Sequence, residues 1–242
     1  MCELCRTDLA VISRRSLGLL AFSSAALLVA GEADAKEKAK SPPKPENLIS
    51  PDAALKRLRE GNERYVHGKM RRHDFRGERE ALVGGQNPYA AVLSCADSRI
   101  APEYAFDSGR GDLFVCRVAG NFASNEITAS LEYAVAVLHA PLILVLGHDG
   151  CGAVDATIKS LRDNKPLPGH MPSLVEALAP SVKAASSRSG NTLANAIRQN
   201  VIDNVAKLKS ATPILGAAVD EKKLKVAGGI YRLESGKVEM VA

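Results

Sequence analysis

Tryptophan is absent from this 242-residue chain, and all aromatic residues together make up only 4% of it. Without clustered rings there is no platform on which nucleic-acid bases could stack. Charge does not compensate: the formal net charge is +5, and basic and acidic residues are interspersed through stretches such as 56–64 rather than gathered in a basic block. No nucleic-acid partner is expected. Long apolar runs are also missing. The one candidate, residues 17–30, has 14 residues against the ~20 a helix needs to cross a bilayer, so no stable membrane anchor is expected. Cysteine is scarce: Cys2 and Cys5 lie near the start, leaving Cys95, Cys116 and Cys151. An odd number of thiols does not make a disulfide framework, and their purpose has to be sought elsewhere.

What is present begins with a leader. Ser13-Arg14-Arg15-Ser16-Leu17-Gly18-Leu19 opens the apolar run, which ends near Ala33-Asp34-Ala35, a small-x-small site of the kind signal peptidases cut. Residues 1–35 are read as a signal peptide, and the paired arginines resemble a twin-arginine signal, an address read by a receptor. The mature protein is expected to begin at Lys36 and to be periplasmic or secreted. Residues 36–49, rich in Lys, Pro and Glu, read as a flexible linker or arm, and residues 50–242 as one domain.

Ser50-Pro51-Asp52 supplies an N-cap, a proline at the first helical position and an acidic first turn, and the helix it opens is expected to pause at Gly61 and resume over 62–66. From Tyr89 on, short apolar runs at 90–93, 113–118 and 142–146 alternate with helical patterns at 124–139, 151–162, 173–186 and 192–210. That alternation predicts an α/β fold with a mostly parallel central sheet flanked by helices. Residues 224–233 and 237–241 around Glu234-Ser235-Gly236 read as an antiparallel hairpin closing one edge.

The chemically unusual residues fall at strand ends. Ser94-Cys95-Ala96-Asp97-Ser98-Arg99 follows the first run and Gly147-His148-Asp149-Gly150-Cys151-Gly152 the third. Ligands of open parallel sheets bind beyond the carboxyl ends of strands, so both segments can face one crevice. Together they offer two thiols, an imidazole and a carboxylate, the ligand types of a tetrahedral zinc site. A Cys95–Cys151 disulfide is the competing account, and it leaves His148 idle. Cys116, inside a strand, reads as core. His67, His73, His139 and His170 read as ordinary surface or capping residues.

These segments resemble the beta-class carbonic anhydrases, whose Cys-x-Asp-Ser-Arg and His-x-x-Cys-Gly stretches are matched by Cys95 to Arg99 and by His148 to Gly152. Gly111-Asp112-Leu113-Phe114-Val115, Ala119-Gly120-Asn121, Glu60-Gly61-Asn62-Glu63-Arg64-Tyr65 and Gly85-Gln86-Asn87-Pro88 extend the resemblance over nearly all the chain beyond the leader. It implies reversible hydration of carbon dioxide to bicarbonate and a proton by a zinc-bound hydroxide, with one Zn2+ per subunit held by Cys95, His148 and Cys151. Asp97 is then either the fourth ligand or is held by Arg99 while water takes that place. Gln86 and Gly152 are implied to bind substrate. An N-terminal helical arm is implied to embrace a second subunit in a homodimer or higher homo-oligomer, with active sites at the interface. Val92 stands where members with a regulatory bicarbonate pocket carry tryptophan, and Val118 where many carry asparagine. The rivals are a carbon disulfide or carbonyl sulfide hydrolase on the same scaffold and a closed, non-catalytic structural zinc site.

Export of folded protein would let zinc cap Cys95 and Cys151 before they meet an oxidising compartment. Replacing Arg14 and Arg15 together by Lys should leave the protein in the cytoplasm with its leader uncut, as read by fractionation and N-terminal sequencing. Unchanged export of the double variant would exclude the twin-arginine route.

Overall fold

The computed structural model describes residues 49–242, so the leader expected at 1–35 and all but the last residue of the linker expected at 36–49 lie outside the described residues. Five strands, β1 (Ala90–Ser94), β2 (Leu113–Arg117), β3 (Leu142–His148), β4 (Lys225–Tyr231) and β5 (Val238–Met240), form one sheet in the order β2-β1-β3-β4-β5. All neighbours are parallel except β4 and β5, which make the antiparallel edge hairpin. The eight helices among the described residues are α1 (Pro51–Val66), α2 (Gly77–Val83), α3 (Pro102–Ala105), α4 (Asn125–Ala136), α5 (Gly152–Arg162), α6 (Pro172–Ala185), α7 (Thr192–Lys209) and α8 (Ile214–Asp220).

β1 and β3 are buried along their whole length, which is why they read as continuous apolar runs without polar alternation. Their side chains still sort by parity. Ala91, Leu93, Ile143 and Val145 pack with Leu131 of α4, Leu178 of α6, Val201 and Val205 of α7 and Leu215 of α8. Ala90, Val92, Leu142, Leu144 and Leu146 pack on the other side with Ala54 and Leu58 of α1, Ala105 of α3 and Tyr89. The sheet is thus the middle of three layers. Val92 fills the second of these cores, and Cys116 is buried in the first, both as packing residues.

The chain leaves β1 for β2 on one side and then crosses back to β3 on the other. This reversal makes the gap beyond β1 and β3 the switch point of the sheet, where the connections diverge and leave a crevice.

Several elements differ from the sequence expectation for identifiable reasons. α1 begins as expected, with Ser50 Oγ accepting from Ala53 N at 3.2 Å, but runs unbroken through Gly61 to Val66. A Cβ at Gly61 would lie 1.9 Å from the carbonyl oxygen of Phe106, so this glycine serves a close helix-to-loop approach and ends nothing. The next residue, buried Asn62, donates to the carbonyls of Ala105 (2.9 Å) and Gly236 (2.8 Å) and accepts from Val238 N (2.8 Å), tying α1 to α3 and to the hairpin. α1 therefore belongs to its own chain's core. α4 stops at Ala136, short of residue 139, because the amides of Leu138 and Ala140 turn back to the carbonyls of Tyr133 and Ala134 while His139 takes a φ of 55°. His73 is not a surface residue: its ring lies between Asp107 (3.7 Å) and Glu78 (3.5 Å) with its side chain 18% exposed.

Gly61→Ala tests the close approach. Alanine is the better helix former by about 1 kcal/mol, yet overpacking against fixed backbone outweighs that gain. Urea unfolding should show a net loss of about 2 kcal/mol.

Candidate metal centre

Register brings the two chemical segments together. Ser94 pairs with Leu146 in the parallel ladder, so Cys95, one residue past β1, and His148, the last residue of β3, emerge side by side at the switch point. Asp149 and Gly150 then turn the chain, Gly150 at φ +62°, and Cys151 becomes the N-cap residue of α5. The Cys95 and Cys151 sulfurs and a ring nitrogen of His148 all lie within 4.8 Å of one another, and all three residues are buried. Both thiols are free, so the disulfide account fails.

The backbone on either side is pinned. Asp149 N donates to the Tyr231 carbonyl (3.2 Å), and Asp149 Oδ1 accepts from Leu233 N (2.9 Å), which fastens the His148–Cys151 turn to the end of β4. On the other side Arg117, at the end of β2, donates through Nε to the Cys95 carbonyl (2.9 Å) and through Nη2 to the Asp97 carbonyl (2.6 Å). Sequence reasoning passed over Arg117, because a basic residue closing a strand carries no motif.

His148 reports what the cluster is built for. Its Nδ1 lies 2.9 Å from the Asp149 carbonyl, which can only accept, so the ring proton sits on Nδ1 and the Nε2 lone pair is free. That Nε2 is buried and has no hydrogen-bond partner. A buried orphan of this kind is costly unless something else satisfies it. A cation flanked by two sulfurs does so, and the donor set of two thiols and one imidazole suits zinc.

Electrostatics agree. The two thiols share a proton: a hydrogen bond from Cys151 draws the Cys95 thiol down to about 4 against the cost of burial, with His148 and the Gly120 amide helping. Cys151, as donor to that thiolate and desolvated by burial, is pushed far above the thiol range, with the Val154 and Ala153 amides at the start of α5 pulling the other way. Burial lowers the His148 imidazole, but Cys95, the Asp149 carbonyl and Asp97 more than offset it and leave it raised. The two sulfurs are thus disposed to hold one proton between them, which a divalent cation would displace.

Asp97 lies near this cluster but is held away from it. Oδ2 is 3.9 Å from His148 Nε2, yet Oδ2 accepts from Arg99 Nη2 (2.7 Å) and Oδ1 from both Arg99 Nε (2.9 Å) and Arg99 N (2.9 Å). The planar guanidinium matches both oxygens at once. It holds the Asp97 carboxyl well below the ordinary carboxylate range, chiefly through that side-chain pairing. Arg99 Nη2 also reaches the Gly150 carbonyl at 3.3 Å, spanning the two loops of the site.

Gly152 is the first residue of α5, with open space where a side chain would begin. Gln86 is the outlier among the sequence candidates. It is exposed in the loop before β1, whereas Cys95 follows β1, so the whole strand separates them.

Residues 90–238 match the family model described as Carbonic anhydrase. The chain belongs to the beta-class carbonic anhydrases.

Carbonic anhydrase 2 of Mycobacterium tuberculosis is 40% identical over 191 residues, 78% of this chain and 91% of that protein. The carbonic anhydrase of Mycolicibacterium smegmatis is 38% identical over 193 residues, covering 79% and 93%. Among solved structures, the beta-carbonic anhydrase CcaA superposes with a TM-score of 0.61 at 28% identity, over 78% of this chain and 98% of that one. A tetrameric beta-carbonic anhydrase of Sordaria macrospora, at 22% identity, shares the fold with a TM-score of 0.62 over 79% and 96%. The reaction is the zinc-dependent reversible hydration of carbon dioxide, catalysed by a lyase, and neither the hydrolase nor the closed structural site draws support from these relatives.

The shared proton gives a direct test on metal-free protein. Ultraviolet thiolate absorbance should survive acidification and disappear around pH 4, where Cys95 is protonated. Cys95→Ser should remove that step. An onset of thiolate absorbance only in the ordinary thiol range would mean the two sulfurs do not share a proton.

Proposed function

We propose that Cys95, His148 and Cys151 hold the zinc, that Asp97 and Arg99 act on the reacting water, and that a second copy of this chain supplies Gln86. The observation that carries this reading is the bidentate Arg99–Asp97 pair. A structural site closes with four protein ligands, whereas a catalytic one keeps a position open. Here the Asp97 carboxylate beside the three donors is engaged by Arg99, which leaves the fourth position to solvent and substrate.

Zinc, when bound, acts as a Lewis acid that makes a nucleophile available at neutral pH. The chain's own residues then have separable tasks. Asp97 stays ionised because Arg99 holds it, and its oxygen beside His148 accepts a hydrogen bond from the attacking water, turning the lone pair of that water toward carbon dioxide. The same pairing withholds the carboxylate from the cluster. Gly152, at the helical start with no side chain above it, leaves its backbone free to approach the substrate oxygens.

Gln86 cannot take part within its own subunit. Five strand residues at about 3.3 Å each separate it from Cys95 by roughly 17 Å. A homodimer that sets the amino end of one β1 against the carboxyl end of the other brings it in. Val83, three residues before Gln86, is 88% exposed, and Tyr133 and Val137, one turn apart, are exposed as well, which are apolar positions that a partner would cover. Export through the leader at 1–35 to the periplasm or beyond belongs to the same proposal and rests on the sequence of that segment.

Zinc content and stopped-flow hydration of carbon dioxide test the roles. Cys151→Ser should lose both together. Asp97→Asn should keep stoichiometric zinc and lose hydration by on the order of 100-fold or more. An Asp97→Asn enzyme with unchanged rate and pH profile would remove Asp97 from the reaction. Neither Gln86→Ala nor Cys95→Ser homodimers should be fully active, yet their mixture should regain activity through hybrid dimers that contain one complete site. Failure of complementation in a demonstrated hybrid would place Gln86 outside the partner's site.

A further inference from the structure

α7 packs its apolar residues Ala196, Ile197, Val201, Val205 and Leu208 into the core, yet the same buried face carries two asparagines, Asn200 and Asn204, one helical turn apart. Asn200 is 2% exposed and Asn204 7%. Amides are costly to bury in such a setting unless each donor and acceptor is used. Following their hydrogen bonds leads to the metal centre.

Asn204 Nδ2 donates to Asn200 Oδ1 (2.9 Å) and to the Asn200 carbonyl (2.8 Å), which fixes the Asn200 amide with its NH2 pointing away from α7. Asn200 Nδ2 then donates to the Gly120 carbonyl (2.8 Å). Asn204 Oδ1 accepts from Ala123 N (2.7 Å), so the two side chains grip the loop after β2 at two points three residues apart. Gly120 stands at φ +87° in that loop, and its own amide donates to Cys95 Sγ at 3.3 Å. A continuous path therefore runs from Asn204 through Asn200 and Gly120 to a sulfur of the cluster.

The geometry points to Asn200 and Asn204 as positioning residues of the zinc site. By holding the 120–123 loop they keep the Gly120 N–H on the Cys95 sulfur, which orients that thiolate and limits the charge it donates to the metal. This inference rests on Cys95 being a zinc ligand. Two features of α7 support it independently of the asparagines. Gly147, the residue before His148, lacks the Cβ that would stand 2.6 Å from Val201 Cγ2, so α7 is drawn unusually close to the end of β3. Lys207 Nζ, one turn beyond Asn204, also donates to the Ala123 carbonyl (2.6 Å), adding a third grip on the same loop.

Outer partners of metal ligands typically change metal affinity by about 10–100-fold when removed. Asn200→Asp is nearly isosteric and keeps Oδ1 as acceptor for Asn204, but sets a carboxylate oxygen against the Gly120 carbonyl. Zinc affinity, measured by chelator competition, should fall about 10-fold or more, and the thiolate-to-cobalt charge-transfer band of the Co(II)-substituted protein should move to longer wavelength as the sulfur loses its hydrogen bond. Asn204→Ala should shift both in the same sense by less. Leu58→Ala, a buried residue of α1 in the core on the other face of the sheet, should lower Tm while leaving affinity and band unchanged. Should the asparagine variants fail to fold, the wild-type protein loaded with 113Cd decides, because the Gly120 amide proton should show coupling to the metal across the hydrogen bond. Folded asparagine variants with wild-type affinity and band, or no coupling to Gly120 in the cadmium protein, would overturn the inference. Wild-type protein that binds no stoichiometric metal, or a Cys95→Ser variant that binds it as well as wild type, would instead overturn the ligand assignment on which it rests.

Discussion

Everything at the site depends on β1 and β3 being adjacent, parallel and in register. Two thiols and an imidazole brought together in a dry place lose their hydration and strand lone pairs, and no local stretch of chain would hold them so. The ladder that pairs Ser94 with Leu146 does it from the backbone, because β3 runs only two residues past that pair, to His148, and the chain leaves the two strands in different directions. The strands are buried on both faces, so a slip of register by one residue would exchange the side chains of two separate cores. The cores on the two faces thus fix the position of Cys95, His148 and Cys151, which accounts for a polar cluster sitting at the end of a packed core.

The second constraint is electrostatic and works against the first. A divalent cation held by the cluster would also attract any carboxylate beside it, and a fourth protein ligand would close the site. Arg99 prevents this by matching both Asp97 oxygens while bridging to Gly150 on the opposite loop. Arg117 fixes the backbone of the same Cys95–Asp97 turn from β2, so the carboxylate is restrained at its side chain and at its main chain by different strands. On the proposed reading, openness is a property of two arginines as much as of the ligands.

Strands and ligand motifs were legible in the sequence because burial on both faces leaves apolar runs without alternation, and because a cysteine or histidine just past such a run is uncommon. The edge hairpin was legible from its turn. Gly61 misled, since a glycine that permits close approach looks in one dimension like a glycine that ends a helix, and only the Phe106 carbonyl tells them apart. α2, α3 and α8 span seven, four and seven residues, too few to display a helical period. Gln86 was singled out by its resemblance to a family pattern, and no such pattern says at which end of a strand a residue will stand. Asn200 and Asn204 carried no role in the sequence reading. Their signal was available: asparagines four apart on the stripe that also holds Ile197, Val201 and Leu208 cannot face solvent.

That last pair bears on how far fold and chemistry can be separated here. α7 closes one face of the sheet with Val201 and Val205, and Gly147 and Gly228 admit those valines where a Cβ would stand 2.6 and 2.7 Å from Val201. The helix is therefore seated by the strand that ends in His148, and from that seat its asparagines hold the loop that donates to Cys95. A shift of α7 along the sheet would move a hydrogen bond on one ligand and the packing behind the other in the same step. Substitutions that loosen this contact should accordingly appear in metal affinity as well as in stability, whereas equal losses of packing on the α1 face, where no hydrogen bond leads to a ligand sulfur among the described residues, should appear in stability alone.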